Sequence, residues 1–131
     1  MKIIPGFEER IYKEIAKATG NKQIVKDVAY IRFVQYRNAS KIYGERLDDV
    51  AFFVGYSNSD HFRLVGIGVR QEWGGRHYGK FMLMRAIEYA KRQGFKQIKT
   101  RTLSGVDFYQ KCGNAKIVGM AGDDYLMVMD I

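Results

Sequence analysis

Cysteine, proline, tryptophan and histidine are all scarce in this 131-residue chain, which has one, one, one and two of them. A lone thiol, Cys112, excludes an intrachain disulfide and suits a reducing compartment. Its plainest role is that of a small residue packed on a late helix. The single proline, Pro5, argues against disordered linkers. His61, His77 and Cys112 do not form a recognisable ligand set, so no metal is expected. No apolar run approaches the ~20 residues needed to cross a bilayer. The stretch Met1-Lys-Ile-Ile-Pro-Gly6 lacks the apolar core of a signal peptide. These absences together predict a cytoplasmic protein that neither spans nor enters a membrane.

What is present fits one compact domain over residues 1–131. Hydrophobic residues make up 47% of the chain, enough for a single core at this length. The pattern predicts mixed α/β organisation. Lys2 to Ile4 reads as a short strand. Phe7 to Thr19 reads as a helix, with Phe7, Ile11, Ile15 and Ala18 at helical spacing and a stop at Gly20-Asn21. Val25 to Gln35 reads as a strand, because Ala29, Ile31 and Phe33 alternate with Tyr30 and Arg32. Residues 37–49 are charged and turn-prone, a loop or a short helix. Val50–Tyr56 and Phe62–Val69 read as strands joined by a hairpin at Ser57-Asn-Ser-Asp60. Gln97–Leu103 follows as a strand and Val106–Cys112 as a short helix. Ala115–Gly119 and Tyr125–Ile131 close the chain as a hairpin, with Asp123-Asp124 at its turn.

The densest signal lies in Val69-Arg-Gln-Glu-Trp-Gly-Gly-Arg-His-Tyr-Gly-Lys80. It reads as a strand end, a glycine-punctuated turn and a helix start. Leu83, Ala86, Ile87 and Ala90 mark the buried face of that helix, and Gly94 its end. A helix start offers N–H groups without intrahelical partners, and its dipole adds partial positive charge. Such a junction can cradle a phosphate. Gly74, Gly75 and Gly79 let the backbone turn and approach a ligand closely, while Arg76 and Lys80 add mobile cations. Glycine turns before helices are also common as plain connections.

Charge reinforces the anionic-ligand reading. Arg70 to Arg101 holds nine Lys or Arg against two acids, Glu72 and Glu88, and so carries +7 of the chain's +8. A solvated helix face accounts for many of these residues. A field drawing a polyanion to the cradle is the functional alternative. Nucleic acid is not favoured as that polyanion: the sequence has no known recognition module and no evident interleaving of exposed aromatics with basic residues.

The Val69–Lys80 block resembles the acetyl-coenzyme A motif of the GNAT superfamily of N-acetyltransferases. In that family a strand ending Val-x-Pro-x-aromatic runs into Arg/Gln-Gly-x-Gly-x-Gly and then a helix. Val69 and Trp73 match the strand end, and Gly75 and Gly79 match two of the glycines. Val106-Asp-Phe-Tyr-Gln-Lys-Cys-Gly113 is similar to a later family helix, with Phe108, Tyr109, Lys111 and Gly113 matching. The likeness covers roughly residues 50–131. It departs at Gly74 (usually Arg or Gln), His77 (usually Gly), Gln71 (often Pro) and Asn114 (usually Phe).

The resemblance implies a mostly antiparallel central sheet flanked by helices, and transfer of acetyl from acetyl-CoA to a primary amine by direct attack. Val69, Gly74, Gly75, Arg76, His77, Tyr78, Gly79 and Lys80 would bind the coenzyme, with a backbone N–H near Val69 facing the thioester carbonyl. Tyr109 takes the family position of the acid that protonates the departing thiolate. Packing of the last helix is its alternative role. The general base is not identified. His61 and Glu72 flank the strand and are the nearest candidates, and Asp123 and Asp124 are turn residues that could face a cationic substrate. The alternative readings are a GNAT-fold binding or regulatory module with weakened acyl-CoA affinity, and a nucleic-acid-associated modifying protein. The acceptor, and the choice between monomer and homodimer, stay open at this level.

Overall fold

The structure, a computed structural model, describes residues 1–38 and 41–131. Among the described residues seven strands form one sheet in the order β1-β2-β3-β4-β5-β7-β6. In chain order the elements are β1 (Ile3–Pro5), α1 (Glu9–Ala18), α2 (Lys22–Asn38), β2 (Ile42–Leu47), β3 (Ala51–Ser57) and β4 (Phe62–Val69). They continue with a 3-10 turn (Gln71–Trp73), α3 (Tyr78–Arg92), β5 (Gln97–Thr102), α4 (Val106–Gly113), β6 (Lys116–Ala121) and β7 (Asp124–Asp130). Every neighbouring pair is antiparallel except β4–β5, which is parallel.

The sheet carries apolar residues on both faces and is covered on both. Phe52 and Val54 of β3 pack with Tyr12, Ile15 and Ala16 of α1 and Val28 and Ile31 of α2. Ala51 and Phe53, one residue out of step, pack with Phe62, Leu64, Met82, Leu83, Ala86 and Ala90 on the α3 face. That two-sided burial is why β3 reads as an unbroken apolar run rather than an alternation. The α3 periodicity is realised with Leu83, Ala86 and Ala90 fully buried, and Gly94 ends the helix at φ +85.

The predicted strand over Val25–Gln35 is instead the middle of α2. Asn21 Oδ1 accepts the Gln23 N–H at 2.9 Å and so caps this helix, rather than only closing the one before. Ile24, Val28 and Ile31 face the sheet at helical spacing, with Val34 beyond. The apparent alternation is not a sheet pattern: Ile31 is buried, but Ala29 and Phe33 on the same supposed face are exposed, and Tyr30, Phe33 and the nearby Tyr36 are 47%, 56% and 95% exposed. Tyr30 and Phe33 stack at 6.4 Å, and the Arg37 guanidinium lies over Phe33 at 4.9 Å. Aromatic and basic side chains therefore do interleave on one exposed face, contrary to the sequence reading. Within residues 37–49, Ile42–Leu47 is a strand, and residues 39–40 lie outside the described residues.

Much of the basic segment is engaged. Buried Glu45 accepts from Arg85 Nε at 2.7 Å and from the Tyr43 hydroxyl at 2.5 Å, with Arg92 at 3.9 Å. Arg70 donates to the Asp49 carbonyl, and Arg101 pairs with Asp124 at 2.6 Å. Among the described residues no helix is long and apolar enough to cross a membrane.

A candidate coenzyme cleft between two parting strands

β4 and β5 run together only briefly. Phe62, Arg63 and Leu64 pair with Ile98, Lys99 and Thr100, and there the register ends. The Thr100 hydroxyl donates to the Leu64 carbonyl at 2.9 Å, a buried bond that closes the apex. Beyond it β4 bulges: Val54 pairs with Gly66, but Gly55 pairs with Leu64, leaving Val65 as the extra residue. A bulge bends its strand and breaks the ladder. β4 stays with β3 while β5 stays with β7, so a wedge opens between the two parallel strands.

The strand alternation decides what the wedge wall offers. Arg70 N–H donates to Val50 across the β3 side at 2.9 Å. In an extended strand successive N–H groups point to opposite edges. The N–H groups of Val69 and Ile67 therefore point towards the edge that β5 has left. Val65, Gly66, Ile67 and Val69 line one side of a cleft of about 230 Å³, with Thr102, Gly105, Phe108 and Tyr109 opposite.

The mouth of the wedge is the glycine turn. Gly75 takes φ +73, with open space for 4 Å around the point where a Cβ would stand, and His77 takes φ 64 immediately before α3. The residue standing where the family usually has glycine thus adopts the left-handed conformation glycine would supply. That costs a non-glycine residue about 1–2 kcal/mol, and histidine tolerates it better than most. The His77 side chain makes no cap hydrogen bond. The first intrahelical bond runs from Phe81 N–H to the His77 carbonyl at 3.0 Å, so the amides of Tyr78, Gly79 and Lys80 precede the ladder. Gly79 faces the wedge, where a Cβ would lie 3.4 Å from Phe108 and 3.9 Å from Val69.

The cationic side chains at the mouth differ. Arg76 sits over the Trp73 ring at 5.1 Å, and Trp73 meets Tyr78 edge-to-face at 5.8 Å. Lys80 is exposed, as are Gly74 and His77. Tyr109 lies deep in the cleft at 7% exposure, beside Phe108. Burial pushes its hydroxyl up to about 12, against the pull of a hydrogen bond with Thr100, while the nearby Asp27 charge adds to the rise. Tyr109 is therefore a weaker acid than a free tyrosine, and fully protonated at neutral pH.

Asp27 is the functional candidate that sequence reasoning missed. It projects from α2 onto β4, with its carboxylate 3.2 Å from where a Gly66 Cβ would stand. Burial pushes its carboxyl up to about 6, opposed by a Gln23 hydrogen bond and aided by the charge of Asp124. Reading α2 as a strand hid it. At helical spacing, Ile24, Val28 and Ile31 would have put Asp27 on the sheet-facing side, and a carboxylate there is a signal.

The other candidates do not line the wedge. His61 precedes β4, tied to Asp60 at 2.7 Å and outside the cleft lining. Glu72 is exposed in the 3-10 turn. Asp123 is exposed at the β6–β7 turn, whereas Asp124 begins β7 and holds Arg101. Cys112 is half-buried, packed against the α3-side core. Among the described residues no group of three or more His, Cys, Asp or Glu could hold a metal ion.

A sheet split between β4 and β5, with a helix start at the mouth of the split, defines a class of fold, and comparison identifies it. The acetyltransferase (GNAT) family model matches residues 10–113, and the chain belongs to that family. No curated protein matches the sequence. Solved structures share its fold at low identity. The PaiA N-acetyltransferase of Thermoplasma acidophilum, in complex with coenzyme A, is 17% identical over all of both chains, with a TM-score of 0.76. An aminoglycoside 6'-acetyltransferase type Ii is 16% identical over 99% of this chain and 97% of its own, with a TM-score of 0.75. A GNAT family acetyltransferase of Elizabethkingia anophelis, with acetyl-CoA bound, is 16% identical over 99% and 97%, with a TM-score of 0.67.

Proposed function

We propose that this chain is an acetyl-CoA-dependent N-acetyltransferase that joins acetyl to a primary amine by direct attack in a ternary complex. The observation that carries the reading is the wedge after Leu64 and Thr100, with the Val69 N–H turned into it and the α3 amides at its mouth. The coenzyme's pantetheine arm would run along β4, taking the place of β5 as a hydrogen-bonding neighbour. Its pyrophosphate would lie on the Gly74–Lys80 turn, where free amides and the helix dipole favour an anion.

Each step has a residue for it. Asp27 takes the proton that an ammonium must lose before it can attack. The amine nitrogen bonds to the thioester carbon, and the Val69 N–H stabilises the oxyanion that forms. Collapse breaks the carbon–sulfur bond; Tyr109 protonates the departing thiolate and takes the second nitrogen proton from the acylated amine, so it ends as it began. With its hydroxyl pushed up to about 12, Tyr109 gives its proton only as charge develops on sulfur, in step with bond breaking. Holding both reactants in one cleft supplies further acceleration through proximity.

Calorimetric titration with acetyl-CoA tests this reading. The expected result is one site per chain, abolished by competition with coenzyme A. A ligand at 100 times its dissociation constant stabilises by about 2.7 kcal/mol, so a melting curve gives an independent readout. Absence of binding by both methods would leave the chain as a GNAT-fold module without the coenzyme.

One observation favours a second reading, a nucleic-acid-associated modifying protein. Tyr30, Phe33 and Tyr36 interleave with Lys26, Arg32 and Arg37 on exposed α2, a pattern on which bases can stack. Tight, salt-sensitive gel shifts with single-stranded RNA or DNA, lost on Phe33→Ala with Tyr36→Ala, would support it.

A further inference from the structure

A second cavity of about 300 Å³ adjoins the wedge. Gln23, Lys26, Asp27 and Tyr30 of α2, Arg63 and Val65 of β4, Arg101 and Asp124 line it. Gln23, Asp27 and Val65 line the wedge as well, so the two spaces meet at the carboxylate of Asp27. Its volume is at the small end for ligand sites, which suits a small molecule.

The cavity's charges are not balanced internally. Arg101 is neutralised by Asp124 at 2.6 Å. Lys26 and Arg63 make no ion pair among the described residues, although Arg63 is half-buried. A half-buried guanidinium without a carboxylate is poised for an anionic group, which it can take bidentately. One wall of the cavity therefore suits an ammonium at Asp27, and another suits an anion at Arg63 and Lys26.

We propose that the acetyl acceptor is a small amine bearing an anionic group, whose nitrogen sits at Asp27 and whose carboxylate or phosphate is held by Arg63 and Lys26. This rests on the acetyl-transfer reading. The reaction makes an N–C bond to the acetyl carbonyl and breaks its C–S bond. The first ammonium proton goes to Asp27, and the second nitrogen proton replaces the one that Tyr109 gives to the thiolate. Arg63 and Lys26 touch only the anionic end and select the substrate.

Release of free coenzyme thiol from acetyl-CoA tests the proposal across a graded panel. The carboxylate arm is L-amino acids and the ω-amino acids from β-alanine to 6-aminohexanoate, and the phosphate arm is O-phosphoethanolamine. The controls are n-alkylamines of matched length and spermidine. At least one anionic amine should have a kcat/KM about tenfold or more above its matched neutral amine. Arg63→Ala should raise KM for that acceptor about tenfold with little change in kcat, and erase its advantage over the neutral amine. Arg63→Lys should restore part of it. Should Arg63→Ala melt early, the exposed Lys26→Ala carries the same expectation. Equal or better use of neutral amines or spermidine, consumption of no anionic amine, or an unmoved KM in both variants would overturn the proposal. Acetyl-CoA calorimetry on the same preparation separates the two failures. Binding without anionic preference sinks this inference alone, whereas no binding sinks the functional reading beneath it.

Discussion

Tyr109 and Asp27 face one cleft with their acidities displaced in the same direction by burial, and they carry opposite duties in the proposed chemistry. Tyr109→Phe keeps the ring and its packing against Phe108 but removes the only proton the side chain can give. Thr100 still donates to Leu64, so no buried donor is stranded, and stability should move by no more than about 1 kcal/mol. General acid catalysis typically contributes about 10²–10⁴-fold, so turnover should fall at least about tenfold with acetyl-CoA affinity unchanged. Normal turnover in an active preparation would make Tyr109 a packing residue.

The raised carboxyl of Asp27 makes two linked pH statements. As the base it must be ionised, so kcat/KM should rise with pH through about 6, and Asp27→Asn should remove that limb together with most of the activity. For stability the sign is reversed. A carboxyl with a folded value near 6 and an ordinary value near 3.9 holds its proton more tightly when folded. That stabilising contribution is whole below about pH 4 and is lost as pH rises through about 6. At pH 8, then, Asp27→Asn should raise stability by about 1–2 kcal/mol, allowing for partial exposure, with little effect at pH 4. Paired melting curves at the two pH values decide it. Equal effects at both would mean that Asp27 titrates as a free carboxyl.

The glycine turn and α3 are where the sequence was most legible among the elements. Gly75 and Gly79 stood at spacings set by backbone geometry, and Leu83, Ala86 and Ala90 repeated with the helix period. Local rules govern both. α2 was illegible for a tertiary reason: Tyr30, Phe33 and Tyr36 are apolar yet exposed, so apolar positions no longer marked the buried face. The wedge was not readable either. It depends on where the β4–β5 pairing ends and on a bulge at Val65, and pairing between strands separated by a helix leaves no local pattern. The residue proposed as base was hidden by the misread helix, since only the helical register turns Asp27 towards Gly66.

Gly79→Ala tests what the start of α3 is for. The added methyl meets Phe108 and Val69 at ordinary contact distances, and alanine suits a helix better than glycine. Stability should therefore hold or rise by less than about 1 kcal/mol. Because that methyl projects between Val69 and Phe108 at the cleft wall, the acetyl-CoA dissociation constant should rise about tenfold or more. Unaltered affinity would show that the coenzyme does not pass this point.

At the scale of the molecule, the +8 chain is less lopsided than its sequence suggests, because its basic segment folds against scattered acids. Arg70, Arg85 and Arg101 meet Asp49, Glu45 and Asp124 from distant parts of the chain. The Glu45 carboxylate is buried on β2, and Arg85 of α3 is its close cationic partner. Arg85→Ala should cost about 2–4 kcal/mol, because it leaves a buried charge with only Tyr43 and a distant Arg92. The double change to Arg85→Met and Glu45→Leu should recover much of that loss, measured by urea denaturation. A cost for Arg85→Ala near that of an exposed pair would mean Glu45 is solvated.

Every role proposed for the cleft requires acetyl-CoA to lie in the wedge between β4 and β5, with its pyrophosphate on the Gly74–Lys80 turn. Amide chemical shifts of the 15N-labelled protein, followed through a titration with acetyl-CoA, locate the coenzyme residue by residue. The largest shifts are expected at Ile67, Val69, Gly75 to Lys80 and the Thr102–Tyr109 segment, with α1 and β6 unmoved. Shifts confined to the basic surface of α3 and β5, or centred on the exposed face of α2, would put the coenzyme outside the wedge and refute the site.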